Sequence, residues 1–100
     1  MAELVAVKGN TVITGHLCDV TTTTFQCSGT VFIGGQGVCH NGDLLMLHNE
    51  PAGSNCVPHI ATITAGSGTV FADGKAIARN KDAADAGNIS SGNAANVFAG

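Results

Sequence analysis

The chain has no tryptophan and no tyrosine, and only 4 of its 100 residues are phenylalanine. A core made of Val, Ile, Leu and Ala must offset a conformational-entropy cost on the order of 100–200 kcal/mol for a domain of this length. The 14 glycines enlarge that cost. One domain with a modest core fits the length, so a staple beyond apolar packing is expected. Fixed positive charge is equally scarce: Lys8, Lys75, Arg79 and Lys81 face 7 acidic residues, for a net charge of −3. No basic stripe tracks a phosphate backbone, which excludes nucleic acid as an expected partner. The longest apolar run, Leu44 to Leu47, is far too short to span a bilayer. Met1-Ala2-Glu3-Leu4 lacks the basic and apolar regions of a secretory signal. Synthesis in a reducing cytoplasm is therefore expected, where cysteine more often serves metal binding or packing than disulfides.

What the chain has in place of these is repetition. Ser28-Gly29-Thr30-Val31-Phe32-Ile33-Gly34-Gly35 returns as Ser67-Gly68-Thr69-Val70-Phe71-Ala72-Asp73-Gly74, and a truncated echo closes the sequence as Asn96-Val97-Phe98-Ala99-Gly100. Gln36 to Asp43 lies in step with Lys75 to Asp82. Each full copy reads as a hairpin: a strand (Thr30 to Ile33; Thr69 to Ala72), a Gly-rich turn, and a second short strand at Val38 to His40 or Ile77 to Arg79. Internal repeats of one small unit indicate stacking, each unit burying a face its neighbour needs. Further strands are expected at Glu3 to Lys8, Thr11 to Thr14 and Ile60 to Thr64, with Thr21 to Thr24 as a strand edge. Asn49 to Pro58 reads as a loop and Lys81 to Ala86 as at most one helical turn, while Leu44 to His48 is ambiguous on periodicity. The expected fold class is all-β, one domain over residues 1–100, with three similar strands approximating threefold symmetry.

Histidine and cysteine supply the candidate staple. His16, Cys39, His48 and His59 fall at strand ends or loops around the first repeat, separated by 23, 9 and 11 residues. The second repeat holds Ala78 where the first has Cys39. Three imidazoles and a thiolate make a tetrahedral set that suits Zn²⁺, and a soft ligand argues against Mg²⁺ or Ca²⁺; iron is the second choice. Cys18 and Cys56 stand close enough to His16 and His59 in sequence to replace a ligand. Cys27 is expected in the core, and His40, next to Cys39 on a strand, faces away from it. A Cys18–Cys56 disulfide is open but runs against a reducing compartment.

These motifs resemble the PAAR-repeat proteins, the spike-tip proteins of type VI secretion systems and contractile phage tails. Ala76-Ile77-Ala78-Arg79 stands where that family has Pro-Ala-Ala-Arg, and Gly92 to Gly100 is similar to its closing strand. The resemblance covers roughly residues 15–100, with residues 1–14 as an N-terminal strand region. It departs at Gly37 and Ala76, in place of the motif proline, and at Lys81-Asp82, in place of Gly-Asp. What it implies is a conical β-hairpin domain whose apex binds zinc through three His and one Cys. Its base would sit on a trimeric β-helical spike, contacted by Val31, Phe32, Val70, Phe71, Val97 and Phe98. The implied role is structural, a membrane-piercing tip at the end of a virion tail or secretion apparatus that meets the target cell envelope only transiently. Two other classes compete. A zinc hydrolase would need a general base, and Glu50 is the only carboxylate near a candidate ligand in sequence. A β-solenoid binding module would use Thr21 to Thr24 as its surface.

Overall fold

The computed structural model describes residues 2–90 and 97–100. Its described part is all-β, without a helix, and measures 41 × 26 × 22 Å along its principal axes. The strands are short: β1 (Glu3–Leu4), β2 (Thr11–Ile13), β3 (Thr21–Thr23), β4 (Phe32–Ile33), β5 (Gln36–Gly37), β6 (His48–Ala52), β7 (Asn55–His59), β8 (Phe71–Ala72), β9 (Lys75–Ala76), β10 (Ala83–Ala84), β11 (Gly87–Ile89) and β12 (Phe98–Ala99). The only sheet of more than two strands among them runs β10-β11-β2-β3.

The two repeats form the hairpins β4-β5 and β8-β9. Their turns, Gly34-Gly35 and Asp73-Gly74, have positive φ at both central residues, the backbone a two-residue hairpin of matching twist requires. The third echo has no hairpin partner ahead of it in the chain. Instead β12 pairs with β1, Phe98 opposite Leu4, as Phe32 lies opposite Gly37 and Phe71 opposite Ala76. The N-terminal segment thus completes a third unit with the C-terminal strand.

Backbone hydrogen bonds tie the three units into closed rings. Cys39 N donates to Ala6 O, Ala6 N to Ala78 O, and Ala78 N to Cys39 O, at 2.8–2.9 Å. Lys8 N donates to Gly37 O, Asn41 N to Ala76 O and Asn80 N to Leu4 O in a second ring. An Asn or Asp then repeats the same job in each unit. The side chains of Asn10, Asp43 and Asp82 accept from the backbone N–H three positions earlier, on Val7, His40 and Arg79. Side chains stack in matching layers: Val5, Val38 and Ile77; Ala6, Cys39 and Ala78; Val12, Leu45 and Ala84, all buried. At Gly9, Gly42 and Lys81 the chain takes positive φ each time, so Lys81 adopts a left-handed backbone where the other units have glycine.

Several expectations are corrected. The second strands of the repeat hairpins are Gln36–Gly37 and Lys75–Ala76, ahead of Val38 to His40 and Ile77 to Arg79, and Ile60 to Thr64 holds only isolated bridges at Thr62 and Ile63. Asn49 to Pro58 is not a loop: β6 and β7 form the longest hairpin described, with Pro51 opposite Cys56 and Asn49 opposite Pro58. Both strands are edges of a two-stranded sheet, where a residue without an N–H is tolerated. Lys81 to Ala86 makes no helical turn; it leads through β10 into a tight turn at Asp85-Ala86 before β11. The Thr21 to Thr23 strand does lie at a sheet edge, as expected.

Candidate metal centre

Four side chains from distant parts of the chain meet beyond the layered core. His16 comes from the loop after β2, His48 opens β6, His59 ends β7, directly opposite His48, and Asp85 sits in the β10-β11 turn. Local backbone chemistry explains each placement. Gly15 has φ of +80°, and a β-carbon there would run into the Ala86 carbonyl, so only glycine lets the His16 loop lie against the Asp85 turn. Asp85 has φ of 55°, a conformation aspartate accepts more readily than bulky or β-branched residues.

The imidazoles are arranged by what their outer nitrogens hold. His16 Nδ1 donates to Leu17 O at 2.9 Å, and His48 Nδ1 to Met46 O at 2.8 Å. His59 Nδ1 lies 3.2 Å from Glu50 Oε2. A carbonyl or carboxylate oxygen accepts, so these Nδ1 atoms carry the protons and the inner Nε2 atoms are left with lone pairs. All three Nε2 atoms point at one carboxylate: His16 and His48 reach Asp85 Oδ2 at 2.8 and 2.7 Å, and His59 reaches Oδ1 at 3.2 Å. The rings pack closely, His16 stacked on His48 at 5.2 Å and His59 edge-on to both. One potential ligand atom from each of the four lies within 4.8 Å of the others.

Neutral imidazoles tautomerised in this way present lone pairs to a carboxylate that also offers only lone pairs. Two remedies exist: an extra proton on each ring, crowding three positive charges around one negative, or a cation in the middle. Three nitrogens and an oxygen, with the outer nitrogens anchored to carbonyls and a carboxylate, form a group that could hold a metal ion. Burial pushes the Asp85 carboxyl up, but its contacts with His48, His16 and His59 outweigh it and hold the group below its usual range. His16 is pushed up, mainly by the Leu17 carbonyl and then by Asp85, against the opposing effect of its desolvation.

Of the residues expected to bind metal, the structure brings His16, His48 and His59 together and places Cys39 elsewhere. Cys39 is fully buried in the layer with Ala6 and Ala78, its sulfur bonded to that of Cys27. It packs in the core cluster with Ala6, Val12 and Ala78, outside the His16, His48, His59 and Asp85 group. Asp85 takes the fourth place. Sequence reading passed over it because a lone Asp among alanines carries no ligand spacing; the usable signal was its turn, Ala84-Asp85-Ala86-Gly87. Cys18 and Cys56 replace no ligand either. They form a disulfide with Cα atoms 5.9 Å apart, contrary to the expectation drawn from compartment. His40 lies outside the cluster, as expected, buried between Asp43 and Asp73. Cys27 packs against the core, also as expected.

At the other proposed site, the Val-Phe pairs are matched in exposure. Val31, Val70 and Val97 are 37%, 36% and 40% exposed, and Phe32, Phe71 and Phe98 are 55%, 59% and 56% exposed. The backbone carbonyls of the three valines each accept from the equivalent strand, on Val38, Ile77 and Val5. An open cleft lined by Lys8, Phe25, Cys27, Phe32 and Leu44 contains none of the clustered His or Asp side chains. No family model matches the chain, and no curated protein is significantly similar to it.

Proposed function

We propose that this protein is a PAAR-type structural tip: a pseudo-threefold, tapering β domain that caps the trimeric β-helical spike of a contractile injection machine, a phage tail or type VI secretion system. The observation that carries the reading is the equal exposure of three Val-Phe pairs on three hydrogen-bonded units. One chain with three like apolar edges is suited to three identical partner chains, and exposed strand ends invite pairing by β-augmentation. Self-association of the chain without its partner follows from the same edges.

At the opposite function, keeping a narrow end from fraying, the reading assigns a structural zinc ion to His16, His48, His59 and Asp85. Short hairpins are marginal alone, and a metal supplies cohesion where side-chain layers end. Zn²⁺ fits three imidazole nitrogens and a carboxylate oxygen; iron, which imidazole also suits, is the second choice. The same donor count argues for a structural site over a hydrolase: four protein groups converge, and Glu50, the candidate base, is engaged by His59 Nδ1. The role is thus read as non-catalytic, at the tail tip or secretion apparatus, with transient contact to the target envelope.

The test is binding to a trimeric β-helical spike end, with elemental analysis of the complex. Wild-type chain should bind one per trimer and carry about one zinc. The Phe32→Asp/Phe71→Asp/Phe98→Asp variant should keep its zinc and lose the trimer. A variant that binds as well as wild type would sink the docking surface.

A further inference from the structure

The Cys18–Cys56 disulfide joins the two segments that carry the clustered histidines. Cys18 is two residues after His16, and Cys56 three residues before His59. Residues 15–20 lie outside any strand, between β2 and β3, so nothing in a sheet ladder fixes His16. Apart from the disulfide and the packing of the His16 ring on His48 and His59, the His16 loop meets the β6-β7 hairpin through Asn49 N to Asp19 Oδ2 at 2.7 Å and a longer Asp19 N to Asn49 O contact at 3.3 Å. The first of these is exposed to water and correspondingly weak. Cys18 itself is held at φ of 75°, a left-handed backbone that a free cysteine would tend to leave. The two cysteine pairs also differ in access. Cys18 and Cys56 are exposed, whereas Cys39 of the Cys27–Cys39 pair is fully buried.

Building on the metal reading above, we propose that Cys18–Cys56 is a redox-controlled clamp on the metal centre. Formed, it holds the His16 loop against the hairpin bearing His48 and His59. Opened, it lets His16 leave, and the cation is released. The step balances with a reductant of the small-thiol class. Two such thiols give their electrons and protons to Cys18 and Cys56, the protein S–S bond breaks, and a disulfide forms between the two small molecules. Linkage demands the converse: a bound cation makes this disulfide harder to reduce, by the same factor by which the disulfide tightens the cation.

The experiment uses the full zinc-loaded chain, oxidised or treated with a phosphine reductant, with mass spectrometry reporting which cysteine pair has opened. Zinc passing to a chromophoric chelator is the readout. Opening Cys18–Cys56 should raise zinc loss by about 10–100-fold, the scale of losing an outer-shell support. The exposed-site double variant Cys18→Ser/Cys56→Ser should match the reduced protein without reductant, its fold checked by circular dichroism. Zinc should in turn slow reduction of this pair in wild type but not in His48→Ala. Equal zinc release from both redox states overturns the clamp alone. Tighter zinc in the reduced state also overturns it, because the freed thiolates would then be ligands. An oxidised chain that takes up no zinc overturns the metal reading and the clamp together.

Discussion

The layered body and the histidine end of this molecule solve the same problem with opposite means. In the body, several structural tasks are performed three times. Ala6, Cys39 and Ala78 close one hydrogen-bond ring, and Asn10, Asp43 and Asp82 each cap a backbone N–H. At the histidine end nothing is repeated: His16 comes from a loop, His48 and His59 from one hairpin and Asp85 from a turn, and a single disulfide ties the loop to the hairpin. Repetition works where small apolar side chains can stack in layers. Where the layers end, cohesion passes to polar groups that make sense only as a set. The body should therefore be robust to metal and sensitive to packing, and the histidine end the reverse.

Removing the metal should separate the two most strongly. Structural zinc contributes roughly 10–16 kcal/mol of apparent binding energy in small metal-dependent folds. Here the body has its own core, so only part of that energy appears as stability. Chelation, or His48→Ala, should lower Tm by at least about 15 °C, given ~4–8 °C per kcal/mol for a domain of this size. His40→Ala should leave zinc content at wild type, since His40 serves Asp43 and Asp73 instead. Zinc lost from His40→Ala and kept in His48→Ala would reverse the ligand assignment.

A core truncation should do the opposite. Leu45 is 2% exposed, in the layer with Val12 and Ala84. Leu45→Ala should cost about 2–5 kcal/mol, the usual range for such cavities. The protein should still bind one zinc below its lowered melting temperature. A variant that loses stability and metal in one cooperative step would show that body and histidine end are not separate.

The same division governs what the sequence makes legible. Near-identical copies announce the two hairpins, so the repeats are readable as residues alone, but their second strands fall at Gln36–Gly37 and Lys75–Ala76, just ahead of the expected Val38 to His40 and Ile77 to Arg79. The third unit is harder, because it is split: Val5-Ala6-Val7-Lys8-Gly9-Asn10 at the start answers Val38 to Asp43, but its partner strand is at the other end of the chain. Three histidines drew attention by type and position. Asp85 did not, because a carboxylate becomes a ligand only through the fold that aims histidines at it. Cys39 misled for a related reason: its uniqueness in the repeat reflects a pairing with Cys27 in the core. The β6-β7 hairpin was hidden by its two prolines, which mark loops on average but are also at home on edge strands.

Gly15 is the junction where the two regions touch, so its replacement should affect both modestly. In Gly15→Ala the new methyl meets the Ala86 carbonyl and the backbone must hold a positive φ. A cost of about 1–3 kcal/mol is expected for such strain. Because Ala86 adjoins Asp85, the displaced turn should also weaken zinc retention. Chelator competition and thermal melting on the same sample measure both. If stability falls while zinc affinity holds, the junction carries packing alone.

The smallest effect belongs to a polar link within the body. Asp73 accepts from Ser28 and Thr30 across units, and from His40, and these bonds lower its carboxyl from the ordinary 3.8 to about 2. A lowered carboxyl stabilises the fold above its ordinary pKa, and that contribution is lost as pH falls through the folded value. Wild type should therefore lose a small increment of Tm between pH 3.8 and about 2 that Asp73→Asn never had. The equivalent link of the next unit, Ser67 and Thr69 to the Gly100 carbonyl, is untouched by the substitution. Parallel Tm curves for the two proteins across that window would mean the cross-unit bonds on Asp73 are ornaments of the turn, and that the backbone rings alone hold the units together.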